Sequence, residues 1–517
     1  MILVIDPVKR LEFIANLLPA GQSALDNGCE SWSYQQLIAK IDDCRQWLVQ
    51  LPGDVIAFQL ENGLDWVLLD LACQTVDKTL IPIPAFFSAG QLENALRASG
   101  AELFIADHSL AQNAEAQAWV EQQGQLLAAT FRSLKAWHLA LDSRRQMPEG
   151  TTKITFTSGS TGHSKGVCLS AEHPWRVAQS LADTLKIKQP RHLCLLPLPT
   201  LLENIAGVYS PLLSGGTVLV PGDEARGLSG SCGLNAKQIL SCISRFQPNT
   251  LILIPQLLTL LVQARLEGWQ APSSLEFIAV GGARVAPDLI ATAHQLGLPV
   301  YQGYGLSECG SVVALNTPER QRQDTVGPVL PHCRVTIEQG EIRVSGCSHL
   351  GYLGDPLSWY PQSVSTGDQG TMSEGFLAIN GRLKNLLITS FGRNVSPEWV
   401  ESELLATPLL TQVQVFGDAR PYLVALLAAP EQISDAAIDG WINVVNQSLP
   451  DYARILRWQR LAESEFQPFM TANGRLQRQR LQRAKRGLIE QMYLQAILNS
   501  EDANNDTPAQ TGARVVC

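Results

Sequence analysis

Residues 155–167 read TFTSGSTGHSKGV, with three glycines, six hydroxyl side chains and one lysine. Glycines let a backbone approach a ligand closely and turn its N–H groups inward. Ser158, Ser160, Thr161 and Ser164 add hydroxyl donors, and Lys165 adds a mobile point charge. That set suits an oxyanion, a polyphosphate above all. It is not the P-loop of motor and switch proteins, because the spacing G-x-x-x-x-G-K-[ST] is absent. A P-loop also runs into a helix, whereas KITFT before this loop and GVCLS after it both read as short strands. The plain alternative is a Gly/Ser turn of a β-hairpin, which the lysine beside the last glycine disfavours.

Five further stretches carry similar chemistry. VGGARV at 280–285 ends a strand with two glycines, which lets a flat ligand lie against backbone. YQGYGLSECG at 301–310 sets Tyr304 between glycines, with Ser307 and Glu308 shortly after. STGDQG at 365–370 isolates Asp368 in a tight turn. GRLKNLLITSFGRNVSPEWVE at 381–401 opens with Arg382 and Lys384 beside a glycine, and FMTANGRLQRQR at 469–480 sets Arg475 after an Asn-Gly turn. Each stretch alone is weak, since a lone turn Asp or Tyr is structural in most proteins.

The elements that must hold these residues alternate. GDVIAFQL reads as a strand, GLDWVLLDLACQTV as a helix and LIPIP as a strand. The same rhythm returns in TLILIP, QLLTLLVQARLEG, LEFIAVGG and APDLIATAHQLG, which predicts a layered α/β architecture. From about 325 to 380 the texture is β-rich, in CRVTIEQG, EIRVSG and GFLAIN. A smaller, more polar segment follows to about 495. Residues 499–517 lack apolar periodicity and are expected to be a disordered tail. With 517 residues, two or more domains are expected. The reading is an α/β protein with a large N-terminal domain, 1–384, of layered α/β subdomains plus a β-rich subdomain. A small α+β domain, 385–498, follows.

Bulk properties narrow the function. A hydrophobic content of 45% describes a globular protein, and a net charge of −9 argues against nucleic acid as the main partner. The eleven cysteines include no C-x-x-C pair, so reduced thiols are expected rather than a zinc site or disulfide framework. Only five apolar residues precede Asp6, too few for a signal peptide, and no apolar run approaches a membrane span. A cytoplasmic location is the expectation. Residues 451–490 hold nine Lys/Arg against four Asp/Glu. A solvated helix face and a surface for an anionic partner both remain open.

The order and combination of these motifs resemble the adenylate-forming, or AMP-binding, enzymes, among them acyl-CoA synthetases, peptide-synthetase adenylation domains and firefly luciferase. The resemblance covers about residues 20–490 and is nearest to acyl-CoA synthetases and fatty-acid ligases. It implies ATP-dependent activation of a carboxylic acid to an acyl-adenylate, then transfer to the thiol of CoA or an acyl carrier protein. By resemblance, Thr157, Ser158, Gly159, Ser160, Thr161, Gly162 and Gly166 hold the β- and γ-phosphates, assisted by Lys165. Glu308 holds Mg²⁺, beside Ser307, while Gly282, Ala283 and Tyr304 flank adenine. Asp368 accepts both ribose hydroxyls and Arg382 supports the ribose. Lys384 matches a hinge about which the C-terminal domain rotates. One orientation brings Arg475 to the adenylation site, and the other lines a thiol path with the loop around Gly392.

Two departures stand out. The family's turn after Asn-Gly usually supplies a lysine, and a guanidinium fork at Arg475 is not equivalent to an ammonium. Arg475 either does the lysine's work, slows adenylation, or marks a homologue that binds nucleotide or acyl group without catalysis. In LPLPTLLENIAGVYSPLL, Thr200 stands where many relatives carry a histidine or aromatic, and no aspartate waits for an amino-acid ammonium. Glu203 matches a glutamate typical of fatty-acid activators. Leu201, Leu202, Ile205, Ala206 and Val208 suit a hydrocarbon tail, with aryl and other apolar acids as alternatives.

Overall fold

A computed structural model describes residues 7–141, 146–157, 165–229, 233–391, 393–471 and 476–493. Ser158, Gly159, Ser160, Thr161, Gly162, Gly392, Arg475 and the tail from 499 lie outside the described residues. The chain divides into two compact units, one running through Lys384 and one starting at Asn385.

The first unit holds two eight-stranded sheets and a four-stranded sheet. One large sheet orders Gly351–Tyr352, Lys165–Leu169, Lys153–Thr157, Thr79–Ile83, Val55–Gln59, Leu103–Ala106, Lys135–Leu139 and Gly124–Leu126. Strand Val55–Gln59 explains its own near-continuous apolar sequence. Ile56 and Phe58 face a core shared with helices Tyr34–Gln50, Leu64–Cys73 and Glu172–Leu185. Ala57 faces a second core beneath helices Ala89–Ser99 and Ala114–Gln123. A parallel strand covered on both faces needs apolar residues at every position.

The other large sheet orders Ala314–Leu315, Val300–Tyr304, Phe277–Val280, Thr250–Leu253, Arg191–Leu193, Thr217–Leu219, Ser23–Asp26 and Ser31–Ser33. Val300–Tyr304 pairs in parallel with Phe277–Val280, so Tyr304 and the glycines after Val280 leave adjacent strands at their carboxyl ends. Ligands of open α/β sheets collect at such ends.

The four-stranded sheet corrects one sequence expectation. Asp368 does not sit in a tight turn but inside the strand Ser363–Ser373, antiparallel to Phe376–Arg382, with Asp368 opposite Arg382. The glycines have other tasks. Gly367 takes a left-handed φ of +68°, the register shifts between Gln369 and Gly370, and a Cβ on Gly370 would stand 2.6 Å from Ala378 O. Bulge and close packing use the residue types of a turn.

The second unit is α+β, around strands Gln412–Phe416, Leu423–Ala428 and Ile455–Arg460. The central strand shows the period of two: Leu423, Ala425 and Leu427 join one core, Val424, Leu426 and Ala428 the other. Three cations of the basic stretch serve this packing. Arg478 Nη2 donates to both carboxylate oxygens of Glu401 at 2.7 and 2.8 Å, Lys485 bonds Glu465 at 2.6 Å, and Arg460 donates to the carbonyls of Pro430 and Ile433 at 2.7 and 2.8 Å.

Candidate active site

Two clusters in the first unit gather most of the described candidate residues. The first centres on Asp368, 4% exposed. Tyr304 donates from its hydroxyl to Asp368 Oδ2 at 2.7 Å, and Arg382 Nε meets Oδ1 at 2.8 Å. Burial, then the neighbouring Asp368, pushes the Tyr304 phenol above its ordinary range, so it remains a donor. These contacts orient the Asp368 carboxylate, a group that can accept about four hydrogen bonds.

The second cluster joins Lys165 to Glu308 through a residue that the sequence motifs left out. Lys165 Nζ stands 4.5 Å from the centroid of the Tyr352 ring, and the Tyr352 hydroxyl donates to Glu308 Oε1 at 2.9 Å. Gly166 allows this closeness, since a Cβ there would stand 3.0 Å from Leu353 Cβ. Thr157 closes the hairpin opposite Lys165, and Phe156 stands opposite Gly166.

The segment 304–311 carries a member of each cluster. Tyr304 ends its strand, and Ser307 and Glu308 lie on a single 3-10 turn, Ser307–Cys309. Gly305 is obligatory, because a Cβ there would stand 1.5 Å from Ser311 O. The backbone oxygen of Glu308 accepts from His349 N at 2.7 Å, fixing the turn from the other side. Gly282 and Ala283 follow the neighbouring strand, exposed, with Gly282 at φ +83°. Arg284 Nη1 donates to Ile379 O at 3.0 Å and ties that loop to the strand bearing Arg382. The Lys384 ammonium is held below the ordinary lysine range by burial first and then by Arg382, with Lys165 adding to the effect and Asp368 opposing it. Lys384 therefore feels a charge from each cluster.

Behind the hairpin lies a buried polar network that spacing could not disclose. Lys153 Nζ bonds Asp70 Oδ1 at 2.6 Å, Asn204 Oδ1 at 2.8 Å and the Tyr209 hydroxyl at 2.8 Å. Tyr209 and Asn204 donate to Asp70 Oδ2 at 2.6 and 3.0 Å. It fastens strand Lys153–Thr157 to helix Leu64–Cys73 and to the wide-turned helix Glu203–Tyr209. Glu203 is fully buried and pairs with His192 Nε2 at 3.2 Å. Leu201, Ile205 and Val208 belong to the core, whereas Leu202 and Ala206 are only partly buried and Thr200 is exposed.

Chemically, the arrangement offers a carboxylate fit for a vicinal diol, an ammonium fit for phosphate, and one oxygen of Glu308 not taken by Tyr352. That hard donor fits Mg²⁺, which is held mainly by phosphates and water with one or two carboxylates.

Comparison with known proteins agrees in fold. The AMP-binding enzyme C-terminal domain model matches residues 384–496. A long-chain-fatty-acid–CoA ligase, FadD15 of Mycobacterium bovis, is 25% identical over 470 residues, covering 75% of this chain and 74% of that protein. A 2-succinylbenzoate–CoA ligase of Staphylococcus aureus is 24% identical over 505 residues, covering 89% and 96%. The anthranilate CoA ligase AuaEII in complex with anthranoyl-AMP superposes with a TM-score of 0.73 at 18% identity, covering 92% of this chain and 96% of that one. The Bacillus subtilis o-succinylbenzoate coenzyme A synthetase with ATP and magnesium gives 0.71 at 23%, covering 92% and 99%. The AMP-binding enzyme model itself matches residues 14–352, well over half of the chain, and the chain therefore belongs to the AMP-binding enzyme family.

Proposed function

We propose that the chain is an AMP-forming acid–CoA ligase that activates an apolar carboxylic acid with ATP and Mg²⁺. The observation that carries this reading is Asp368, buried and oriented by Tyr304 and Arg382, a two-oxygen acceptor suited to two adjacent hydroxyls. A carboxylate attacking a phosphorus is anion meeting anion, so catalysis is charge neutralisation and positioning. Lys165 places its ammonium on the phosphates, and Glu308 holds the metal, which supplies further neutralisation when bound. Tyr304, Gly282 and Ala283 border the base, and Lys384 acts as the hinge. Arg475 brings a cation to the acid's carboxylate in the place of the family's usual lysine. The carboxylate displaces pyrophosphate to give the acyl-adenylate, and the CoA thiol then takes the acyl group as AMP leaves.

Leu202 and Ala206 are the half-open apolar residues of the segment expected at the acid, which supports an apolar tail. A fatty acid is the first reading. An aryl acid is the second, favoured by the 2-succinylbenzoate ligase, which covers more of this chain than the fatty-acid ligase does. The test is thioester formation from ATP and CoA across straight-chain acids of graded length and a set of aryl acids. Turnover with fatty acids supports the first reading and turnover confined to aryl acids the second. AMP release with no acid in either set would overturn the proposal.

A further inference from the structure

The strand Gly351–Tyr352 is two residues long, and its backbone is pinned on every side. It pairs antiparallel with the strand that Lys165 opens, Tyr352 opposite Val167. Leu350 N and Leu353 N donate to Cys168 O and Gly166 O, both at 2.8 Å. Tyr352 N donates to Ser358 Oγ at 2.8 Å, and Trp359 Nε1 donates to Tyr352 O at 3.0 Å. Gly351 adopts φ +139° with its missing Cβ aimed at Trp359, where Cδ1 would be 2.6 Å away. No other residue fits there. The ring of Tyr352 is therefore held from its own backbone outward, and His349 packs edge-on against it at 4.9 Å.

On this fixed ring two groups of opposite charge converge from distant segments. The Lys165 ammonium lies over the face, where the negative π-cloud attracts a cation. The Glu308 carboxylate accepts the hydrogen bond of the hydroxyl at the edge. A cation and an anion destined for one metal–triphosphate attract each other. A phenol that receives the cation on its face and the anion at its hydroxyl gives each a neutral contact, which the nucleotide can share or replace.

We propose that Tyr352 is a positioning residue of the nucleotide site, aligning Glu308 through its hydroxyl and Lys165 through its ring. This rests on the reading of Lys165 and Glu308 as phosphate and metal groups. The two halves of the role separate by substitution: Tyr352→Phe keeps the ring and removes the hydroxyl, and Tyr352→Leu removes both.

The experiment measures Mn²⁺ binding in the presence of ATP by electron paramagnetic resonance, the KM for ATP at saturating Mg²⁺, and thermal unfolding, for the full chain and both variants. Partners that orient a ligating carboxylate typically matter by about tenfold or more in metal affinity. Tyr352→Phe is expected to weaken Mn²⁺ by about that factor while leaving the KM for ATP near the parental value. Tyr352→Leu is expected to weaken Mn²⁺ equally and also to raise the KM for ATP. Unchanged Mn²⁺ affinity in Tyr352→Phe overturns the role. So does an equal loss of every property in both variants together with a lowered unfolding temperature, which would mark a packing residue. A parent protein that binds no Mn²⁺ with ATP overturns the underlying reading, and the role with it.

Discussion

Tyr304 and Asp368, 64 residues apart, meet through a 2.7 Å hydrogen bond from phenol to carboxylate. The bond links the carboxyl end of a parallel strand to the middle of an antiparallel one, and it fixes the direction in which Asp368 presents its carboxylate. A hydrogen bond to a charged acceptor contributes about 1.5–3 kcal/mol, or roughly tenfold and upward in affinity. Tyr304→Phe should therefore raise the KM for ATP about tenfold while changing kcat little. Steady-state kinetics with ATP as the varied substrate checks this.

Lys153 and Asp70 form a fully buried ion pair at 2.6 Å beneath the hairpin. Lys153→Met strands the Asp70 carboxylate in the core, which should destabilise the first unit by about 3–5 kcal/mol. Adding Asp70→Leu removes the orphaned charge and should recover part of that loss. Urea unfolding of the single and double variants gives the comparison.

Two histidines make the first unit sensitive to acid. Burial pushes His173 and His332 each down to about 4. An unfolded histidine titrates near 6.5, so between these values the unfolded chain binds more protons and stability falls as pH falls. At pH 5 the loss should be roughly 2 kcal/mol for each residue relative to pH 7. Unfolding followed at both pH values, in the parent and in His332→Gln, should show a shallower acid loss in the variant.

Arg475 departs from the family's usual lysine, and the expected outcome is graded. Arg475→Lys should preserve or raise activity. Arg475→Ala should lower the adenylation rate about a hundredfold, the loss of one well-placed charge donor. Single-turnover measurement of adenylate formation separates this from effects on thioester formation.

Much of the fold was legible because its signals are local. Val55–Gln59, Leu64–Cys73 and Thr79–Ile83 declare themselves through period and length, Tyr304 and Arg382 stand where strands end, and Glu308 lies on the turn just after one. What was not legible depends on pairing across the chain. Tyr352 reaches Glu308 from 44 residues away, and Lys153 reaches Asp70 from 83, with no spacing rule to announce either contact. Asp368 was misplaced for a different reason: glycine around it serves a bulge and close packing as readily as a turn. The apolar run at 201–208 looked like a substrate wall, yet Leu201, Ile205 and Val208 fill the core. Composition alone cannot separate a pocket lining from an interior.

Glu308 and Lys165 are proposed to act together on a metal-bound triphosphate. The most direct test is exchange of labelled pyrophosphate into ATP with the best acid substrate, for the parent, Glu308→Gln and Lys165→Ala. Exchange is expected in the parent, with a fall of about a hundredfold or more in each variant and the folded state intact by circular dichroism. Parental exchange rates in both variants would contradict it.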